Sequence, residues 1–229
     1  MTAAPPRPQA VLFDAYGTLF DVYSVGVVAE TLFPGQGAAL GLLWRDKQIE
    51  YSRLHSMSGR YRPFWDITRA GLRFAAARLT LPLTGQAEEQ LMQAYRQLLP
   101  FSENLQVLRT LQARGIRAGI LSNGDAAMLL QSVRSAGFDG LLEPLLSAEA
   151  VRRFKTDPAV YDLGPAALSL AAADILLVSS NGWDAIGATW YGYTTLWVNR
   201  AGLPLEQLDT QPTRTGRSLD DVLSFFPTP

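Results

Sequence analysis

The stretch Val11-Leu12-Phe13-Asp14-Ala15-Tyr16-Gly17-Thr18-Leu19-Phe20 places a single carboxylate directly after a short apolar run. The run from Ala10 to Phe13 is too short for a helix and follows a Pro-rich leader, so it predicts a buried parallel strand. Asp14 would then stand at the carboxyl end of that strand, where open α/β sheets form their ligand crevices. Taken alone, the pattern is equally compatible with an Asp that only caps the following turn.

The composition describes an ordinary globular chain and excludes several kinds of site. The 229 residues suffice for one α/β domain with an insertion, or for a core plus a small second domain. With no cysteine and one histidine, His55, disulfides, thiol catalysis, Cys-based zinc sites and His-rich metal sites are excluded. His55 has no assigned role, and we expect a surface or cap-packing position for it.

Charge and hydropathy point to a soluble protein that binds neither nucleic acid nor membrane. The net charge is −1, and basic and acidic residues are scattered along the chain. The leader has no apolar stretch of signal length, and no apolar run approaches the roughly 18 residues that span a bilayer. We therefore expect a cytoplasmic location.

Helical apolar spacing recurs four times between the first strand and residue 100, with no strand pattern in between. The predicted helices cover residues 22–33, 37–51 with a continuation to about 55, 64–78 and 84–99. The first of them ends at Pro34-Gly35, which is a helix-stop signal. We therefore expect an all-helical insertion after the first strand.

Beyond Pro100, helices and strands alternate. Helices are predicted at 103–114, 126–136, 159–171 (broken or bent at Gly164-Pro165) and 184–191, and strands at 117–121, 141–146, 175–178 and, last, 194–198. Strands separated by single helices imply a parallel, right-handed, doubly wound sheet. The predicted fold class is α/β, with a Rossmann-like sheet core and an inserted helical domain.

Polar residues follow several of these strands and would meet at one edge of the sheet. The set comprises Asp14 and Thr18, then Ser122 and Asn123, Lys155 from a loop, and finally Ser179, Asn181 and Asp184. Each piece alone is weak, since a Ser-Asn-Gly run is usually a turn and a loop lysine is usually solvated. Their joint occurrence in this order predicts a site.

These motifs resemble the haloacid dehalogenase superfamily, and within it the L-2-haloacid dehalogenases. The resemblance covers nearly the whole chain, including the segment Val198-Asn199-Arg200-Ala201-Gly202-Leu203-Pro204. It implies a Rossmann-like core formed by residues 1–19 and 101–229 and a helical cap formed by residues 20–100. It also implies that no metal or other cofactor is needed, and a homodimer.

The choice of subclass depends on Tyr16. Magnesium phosphatases of the superfamily carry a second Asp two positions after the nucleophile, where this chain has Tyr16, and an acid early in the last motif, where it has Ser179 and Ser180. Asp14 and Asp184 alone are too few acids for an ordinary Mg²⁺ site. We therefore predict dehalogenation of L-2-haloalkanoic acids. A Mg²⁺-dependent phosphatase and a catalytically silent carboxylate-binding protein remain as alternatives.

The resemblance also implies roles for individual residues. Asp14 would be the nucleophile, Lys155 would keep it ionised, and Asp184 with Asn181 would orient or deprotonate water. Thr18 and Ser179 would position Asp14, Ser122 with backbone N–H groups such as that of Tyr16 would bind the substrate carboxylate, and Tyr161 would help to hold Lys155.

Three residues correspond to the halide cradle of the family. Arg45 on the second cap helix supplies the cation, and Asn123 and Trp183 complete the cradle. Phe64 and Ile49 are expected to line the alkyl pocket. The natural substrate, the preferred chain length and the ability to cleave fluoride are not determined by the sequence.

Overall fold

The computed structural model describes residues 7–227; residues 1–6 and 228–229 lie outside it. Within the described range, parallel strands form one sheet in the order β3-β2-β1-β4-β5-β6. The strands are β1 (Ala10–Phe13), β2 (Arg117–Ser122), β3 (Leu145–Ser147), β4 (Ile175–Ser179), β5 (Thr194–Val198) and β6 (Arg214–Gly216). The predicted α/β class with a parallel sheet is confirmed.

Strand β1 lies at the point where the strand order reverses. Phe13 is in register with Ile120 of β2 on one side and with Val178 of β4 on the other. All four residues of β1 are fully buried, as expected for a central strand covered on both faces. Asp14 therefore emerges between the carboxyl ends of β2 and β4, where doubly wound sheets bind their ligands.

The helices divide into two groups. The insertion between β1 and β2 contains α1 (Gly26–Leu32), α2 (Gly37–Met57), α3 (Phe64–Arg78) and α4 (Gly85–Tyr95), and the sheet is connected by α5 (Asn104–Ala113), α6 (Ala126–Ser135), α7 (Pro158–Leu168) and α8 (Gly182–Tyr191). The N–H of Asp21 donates to the carbonyl of Leu99 at 2.8 Å, and a bridge pairs Phe20 with Pro100. The inserted helical cap therefore leaves and re-enters the core at adjacent positions. The domain limits at residues 20 and 100 stay a prediction.

Two predicted helices differ from the structure at their ends. The helix expected over 22–33 is a 3₁₀ turn, Val22–Val25, followed by α1. The helix expected over 84–99 begins as predicted after the cap Thr84 but ends at Tyr95. The chain leaves the helix through a turn, in which the N–H groups of Arg96 and Gln97 donate to the carbonyls of Gln93 and Ala94 three residues earlier.

The helix expected over 159–171, broken or bent at Gly164-Pro165, is α7, which ends at Leu168 and runs through both residues without a break. A proline leaves the carbonyl four residues earlier without its helical donor. Here that carbonyl belongs to Tyr161, and it accepts the hydroxyl of Tyr193 instead. A Cβ on residue 164 would lie 2.2 Å from that hydroxyl, so glycine makes the substitute hydrogen bond possible.

Two strand predictions also differ. The strand expected over 141–146 is confined to Leu145–Ser147, since Pro144 within the predicted run has no N–H for a ladder. Strand β6 follows the strand that was expected to be the last. Its residues are largely exposed at the sheet edge, so it lacks the apolar alternation by which strands are recognised.

Two smaller expectations concern the surface. His55 lies in the last turn of α2 and hydrogen-bonds to the carbonyl of Arg60, consistent with a cap-packing position. No helix within residues 7–227 is long and apolar enough to cross a membrane.

Candidate active site

Asp14 is held by donors from three segments of the chain. Its Oδ2 accepts the hydroxyl of Thr18 at 3.1 Å and the amide Nδ2 of Asn181 at 2.8 Å. Its Oδ1 accepts the ammonium of Lys155 at 3.2 Å. Donors on both oxygens fix the rotation of the carboxylate, and the side chain is 8% exposed.

Lys155 lies between two carboxylates in the interior. Besides the contact with Asp14, its Nζ donates to Oδ2 of Asp184 at 2.8 Å. Burial alone would lower the pKa of Lys155, but the charges of Asp14 and Asp184 outweigh it and hold that pKa above its ordinary value. For Asp184, burial raises the carboxyl pKa, and the charge of Lys155 offsets only part of this rise.

Tyr161 contacts Asp184, the second carboxylate beside Lys155. Its hydroxyl donates to Oδ1 of Asp184 at 2.8 Å, and Oδ2 of Asp184 accepts from Lys155. The pKa of Tyr161 is raised well above its usual value by burial and by the charge of Asp184, so the hydroxyl stays a donor. Any influence of Tyr161 on Lys155 therefore passes through Asp184.

The loop after β1 carries Tyr16, which contributes in two ways. Its carbonyl accepts Nη2 of Arg45 at 3.0 Å and Nδ2 of Asn181 at 3.1 Å, so that cap and core meet at this group. Its ring stacks on Tyr95 with the centroids 5.7 Å apart and lines the pocket. Gly17 follows with φ of +94°, a conformation that disfavours a side chain.

Ser122 and Ser179 occupy equivalent places at the ends of β2 and β4. The hydroxyl of Ser122 accepts the N–H of Gly124 at 3.2 Å, and that of Ser179 accepts the N–H of Asn181 at 3.2 Å. Ser179 was expected to position Asp14. It contacts the backbone N–H of Asn181, whose side chain contacts Asp14.

Arg45 reaches from α2 into the core. Its Nη2 donates to Oδ1 of Asn181 at 3.1 Å and to the carbonyl of Tyr16, and its Nη1 donates to Oε1 of Gln48 at 2.7 Å. All three acceptors are neutral. None of these hydrogen bonds therefore pairs the guanidinium with a negative charge.

A narrow cavity lies between the cap and the sheet edge, and its free volume of about 10 Å³ corresponds to roughly one water molecule. Its lining residues are Asp14, Tyr16, Arg45, Ile49, Ser52, Phe64, Ser122, Asn123, Asn181 and Trp183. The structure thus brings together at one cavity all three expected halide contacts and both expected alkyl contacts.

Asn123 also connects the cavity to Lys155. Its Oδ1 accepts the backbone N–H of Lys155 at 2.8 Å. Because the oxygen is used in this way, the amide nitrogen of Asn123 is the group left to act as a donor at the cavity.

Asp125 joins cap and core in a way that sequence reasoning missed. Its two carboxylate oxygens accept the N–H groups of Phe64 and Trp65, both at 2.8 Å, and so cap the first turn of α3. Burial raises the pKa of Asp125, while these two hydrogen bonds act in the opposite direction. Asp125 directly precedes α6, so the sequence suggests that it caps α6, whereas its side chain caps α3.

The donor set does not fit a magnesium site of the phosphatase type. Mg²⁺ requires a near-octahedral shell of oxygens, whereas oxygens of Asp14 and Asp184 face the ammonium of Lys155. Among residues 7–227, no group of three or more His, Cys, Asp or Glu side chains could hold a metal ion. We derive no step through a metal.

Comparison with known proteins extends these observations to the whole chain. Residues 8–192 match the family model of the haloacid dehalogenase-like hydrolases. The chain is 41% identical over 220 residues to an (S)-2-haloacid dehalogenase of Pseudomonas sp. strain YL. The matched region covers 96% of this chain and 95% of that protein. A solved L-2-haloacid dehalogenase structure shares 54% identity at a TM-score of 0.94, covering 96% of this chain and 99% of its own. The L-2-haloacid dehalogenase of Xanthobacter autotrophicus with chloropropionic acid covalently bound is 33% identical at a TM-score of 0.89, covering 96% and 98%.

Proposed function

The chain belongs to the haloacid dehalogenase-like hydrolase family, and we propose that it hydrolyses the carbon–halogen bond of L-2-haloalkanoic acids to give D-2-hydroxy acids. The observation that carries this proposal is the ammonium of Lys155, 3.2 Å from Asp14 and 2.8 Å from Asp184. A fixed cation in that position pairs with the carboxylate of the nucleophile Asp14 without a metal. Similarity to (S)-2-haloacid dehalogenases over nearly the full length supports the same substrate class.

In the first step, a carboxylate oxygen of Asp14 attacks the Cα that bears the halogen. A C–O bond forms as the C–halogen bond breaks, and the halide leaves with the bonding electron pair. A halide needs no protonation, which fits the presence of Tyr16 where a phosphatase has its acid. In-line attack inverts the configuration at Cα and leaves an aspartyl ester.

In the second step, water attacks the carbonyl carbon of that ester. The raised pKa of Asp184 makes its carboxylate a better proton acceptor near neutral pH, and it takes one proton of the water. Collapse of the intermediate breaks the bond from the Asp14 carbonyl carbon to the ester oxygen, and that oxygen receives the proton from Asp184. The remaining acid proton passes to solvent, Asp14 is again a carboxylate, and the inverted configuration is kept.

Substrate binding is assigned to the two sides of the cavity. Ser122 and backbone N–H groups of the first loop would take the substrate carboxylate. Arg45, Asn123 and Trp183 would surround the departing halide, and Phe64 and Ile49 would contact the alkyl group. A cation next to the halide stabilises charge that develops only in the transition state, so it accelerates the reaction more than it tightens binding.

The alternatives make different demands on the site. A magnesium phosphatase needs an oxygen-rich metal shell and a second acid in the place of Tyr16, and the ammonium of Lys155 works against both. A silent carboxylate-binding protein would have no need for a buried nucleophile with three side-chain donors. Neither alternative is favoured.

The decisive experiment measures halide release from L-2-chloropropionate by ion chromatography. We expect steady release that EDTA does not reduce, and none from Asp14→Asn. A single turnover in ¹⁸O-water should give a first product without the label, because its oxygen comes from Asp14. Metal-dependent hydrolysis of a phosphate ester without halide release would overturn the proposal, and so would full turnover by Asp14→Asn.

The proposal includes a homodimer in the cytoplasm. A surface of the cap formed by α1 and α2 leaves Val27, Leu42 and Tyr23 at least half exposed, which supports pairing through the cap. Analytical ultracentrifugation of the parent and of Leu42→Glu tests the pairing, and a monomeric parent would contradict it. Cell fractionation tests the location.

A further inference from the structure

Gln48 is a fully buried polar residue that the proposed reaction does not use. It lies on α2, three residues after Arg45 and therefore on the same helical face. An amide can be buried without a large loss of stability only when its donors and acceptor have partners. The partners of Gln48 therefore indicate what this side chain is for.

The hydrogen bonds around Gln48 fix which end of its amide faces Arg45. The hydroxyl of Thr68 has one proton, and it donates this proton to the carbonyl of Phe64 at 2.7 Å. It must therefore accept from Nε2 of Gln48, which lies 2.6 Å away. Oε1 of Gln48 is consequently turned toward Arg45, whose guanidinium can only donate, at 2.7 Å.

Tyr95 completes the arrangement from α4. Its hydroxyl lies 2.9 Å from Nε2 and 3.1 Å from Oε1 of Gln48. Gln48 on α2 is thus held by Thr68 on α3 and by Tyr95 on α4. Gln48 therefore connects α2, α3 and α4, and its Oε1 accepts from Arg45.

The chemical type of Gln48 matters as much as its position. Among residues 7–227, no carboxylate forms an ion pair with Arg45, and its three acceptors, Gln48, Tyr16 and Asn181, are neutral. A carboxylate in place of Gln48 would hold the guanidinium equally well but would cancel its charge. A neutral acceptor holds the cation and leaves its field available to a departing anion.

We propose that Gln48 is a positioning residue that orients Arg45 toward the leaving halide without neutralising it. The inference rests on the proposed function, because it assigns Arg45 to the halide. It predicts that both the hydrogen bond and the absence of charge at position 48 are required.

Two substitutions separate these requirements. Gln48→Met keeps the approximate volume and removes the hydrogen bond, and Gln48→Glu keeps an acceptor and adds a negative charge. We expect each to lower kcat for L-2-chloropropionate by about ten-fold or more. Gln48→Met does so because it loses the hydrogen bond to the charged Arg45, and Gln48→Glu because its charge offsets that of Arg45. KM should change less, and inhibition by added chloride should weaken in both variants.

Thr195→Val is the matched control. Thr195 is equally buried and hydrogen-bonds to Thr189 and Thr213 on the far side of β5, outside the cavity. It should lose stability in urea to a similar degree while keeping the parent kcat and the parent chloride inhibition. Should a Gln48 variant fail to fold, Thr68→Val carries the test, because it removes the acceptor for Nε2 of Gln48.

The outcomes are distinct. A kcat at the parent level in Gln48→Glu would overturn the proposal, and so would losses of kcat that simply follow stability as in Thr195→Val. If the parent itself releases no halide, the proposed function fails. Chloride binding measured by ³⁵Cl NMR line broadening then tests Gln48 alone: the inference requires at least ten-fold weaker binding in Gln48→Glu than in the parent, and equal binding overturns it.

Discussion

Replacing Lys155 by Met should be the most destabilising single change in the site. The side chains of Lys155, Asp14 and Asp184 are 1%, 8% and 0% exposed, so the substitution leaves two buried carboxylates without their cation. At an effective dielectric constant of about 20, each contact at these distances is worth about 5–6 kcal/mol before the cost of burying the ammonium is deducted. Breaking a buried pair in this way costs about 3–5 kcal/mol net, and we expect Lys155→Met to lose that much at pH 8.

The sign of the pH dependence follows from the directions of the pKa shifts. The folded pKa of Lys155 is raised, so the stability contributed by its own charge is fully present below its ordinary pKa and does not change between pH 5 and 8. The folded pKa of Asp184 is already raised by burial and should rise further without Lys155. When the pKa of a carboxyl is higher in the folded than in the unfolded protein, the protein loses stability as the pH rises from the unfolded pKa to the folded pKa. The deficit of Lys155→Met should therefore grow from pH 5 to pH 8.

Urea denaturation followed by circular dichroism at both pH values measures this deficit. Lys47→Met is the control, since its pair with Glu50 is partly solvated and should be worth at most about 1 kcal/mol. Adding Asp184→Asn to Lys155→Met should recover part of the loss. A stability deficit of Lys155→Met below about 1 kcal/mol at pH 8 would refute the electrostatic argument. A deficit that is larger at pH 5 than at pH 8 would refute it as well.

Three further substitutions test other contacts. Asp125→Ala uncaps α3 and should cost about 1–2 kcal/mol in urea denaturation. It should also raise KM, because Phe64 of the cavity begins that helix. Thr84→Ala, which uncaps α4, should cost similar stability and leave KM unchanged. Gly124→Ala should lower stability by about 1–3 kcal/mol, because its Cβ would lie 2.5 Å from the Tyr16 ring. Gly85→Ala is the control, because a Cβ there would have nothing within 4 Å. Equal stability of the two variants would contradict the packing argument. Tyr161→Phe removes the hydroxyl bonded to Asp184 and should lower kcat for halide release by about ten-fold with KM nearly unchanged; a change confined to KM would contradict the role assigned to Asp184.

Several predictions could be made from local sequence because the physics that decides them is local. The strand at Ala10–Phe13 was predictable because an apolar run that is too short for a helix and follows a Pro-rich leader favours a buried strand. Helices α2 and α3 were predictable from apolar spacing. Strand β6 and the continuity of α7 were not, because they depend on an exposed edge and on the hydroxyl of Tyr193, which is distant in sequence.

The same division holds for the candidate site. The α/β class, the helical insertion and the polar set at the strand ends were predictable from local sequence, since hydrophobic periodicity and turn chemistry act over a few residues. The contacts of Tyr161 with Asp184, of Ser179 with the backbone of Asn181 and of Asp125 with the first turn of α3 depend on how distant segments pack together. Only the tertiary structure placed Gln48 against Arg45 with its oxygen facing the guanidinium. Hydrogen bonds are directional and short, so their partners are chosen only after packing has brought distant segments within about 3 Å of each other.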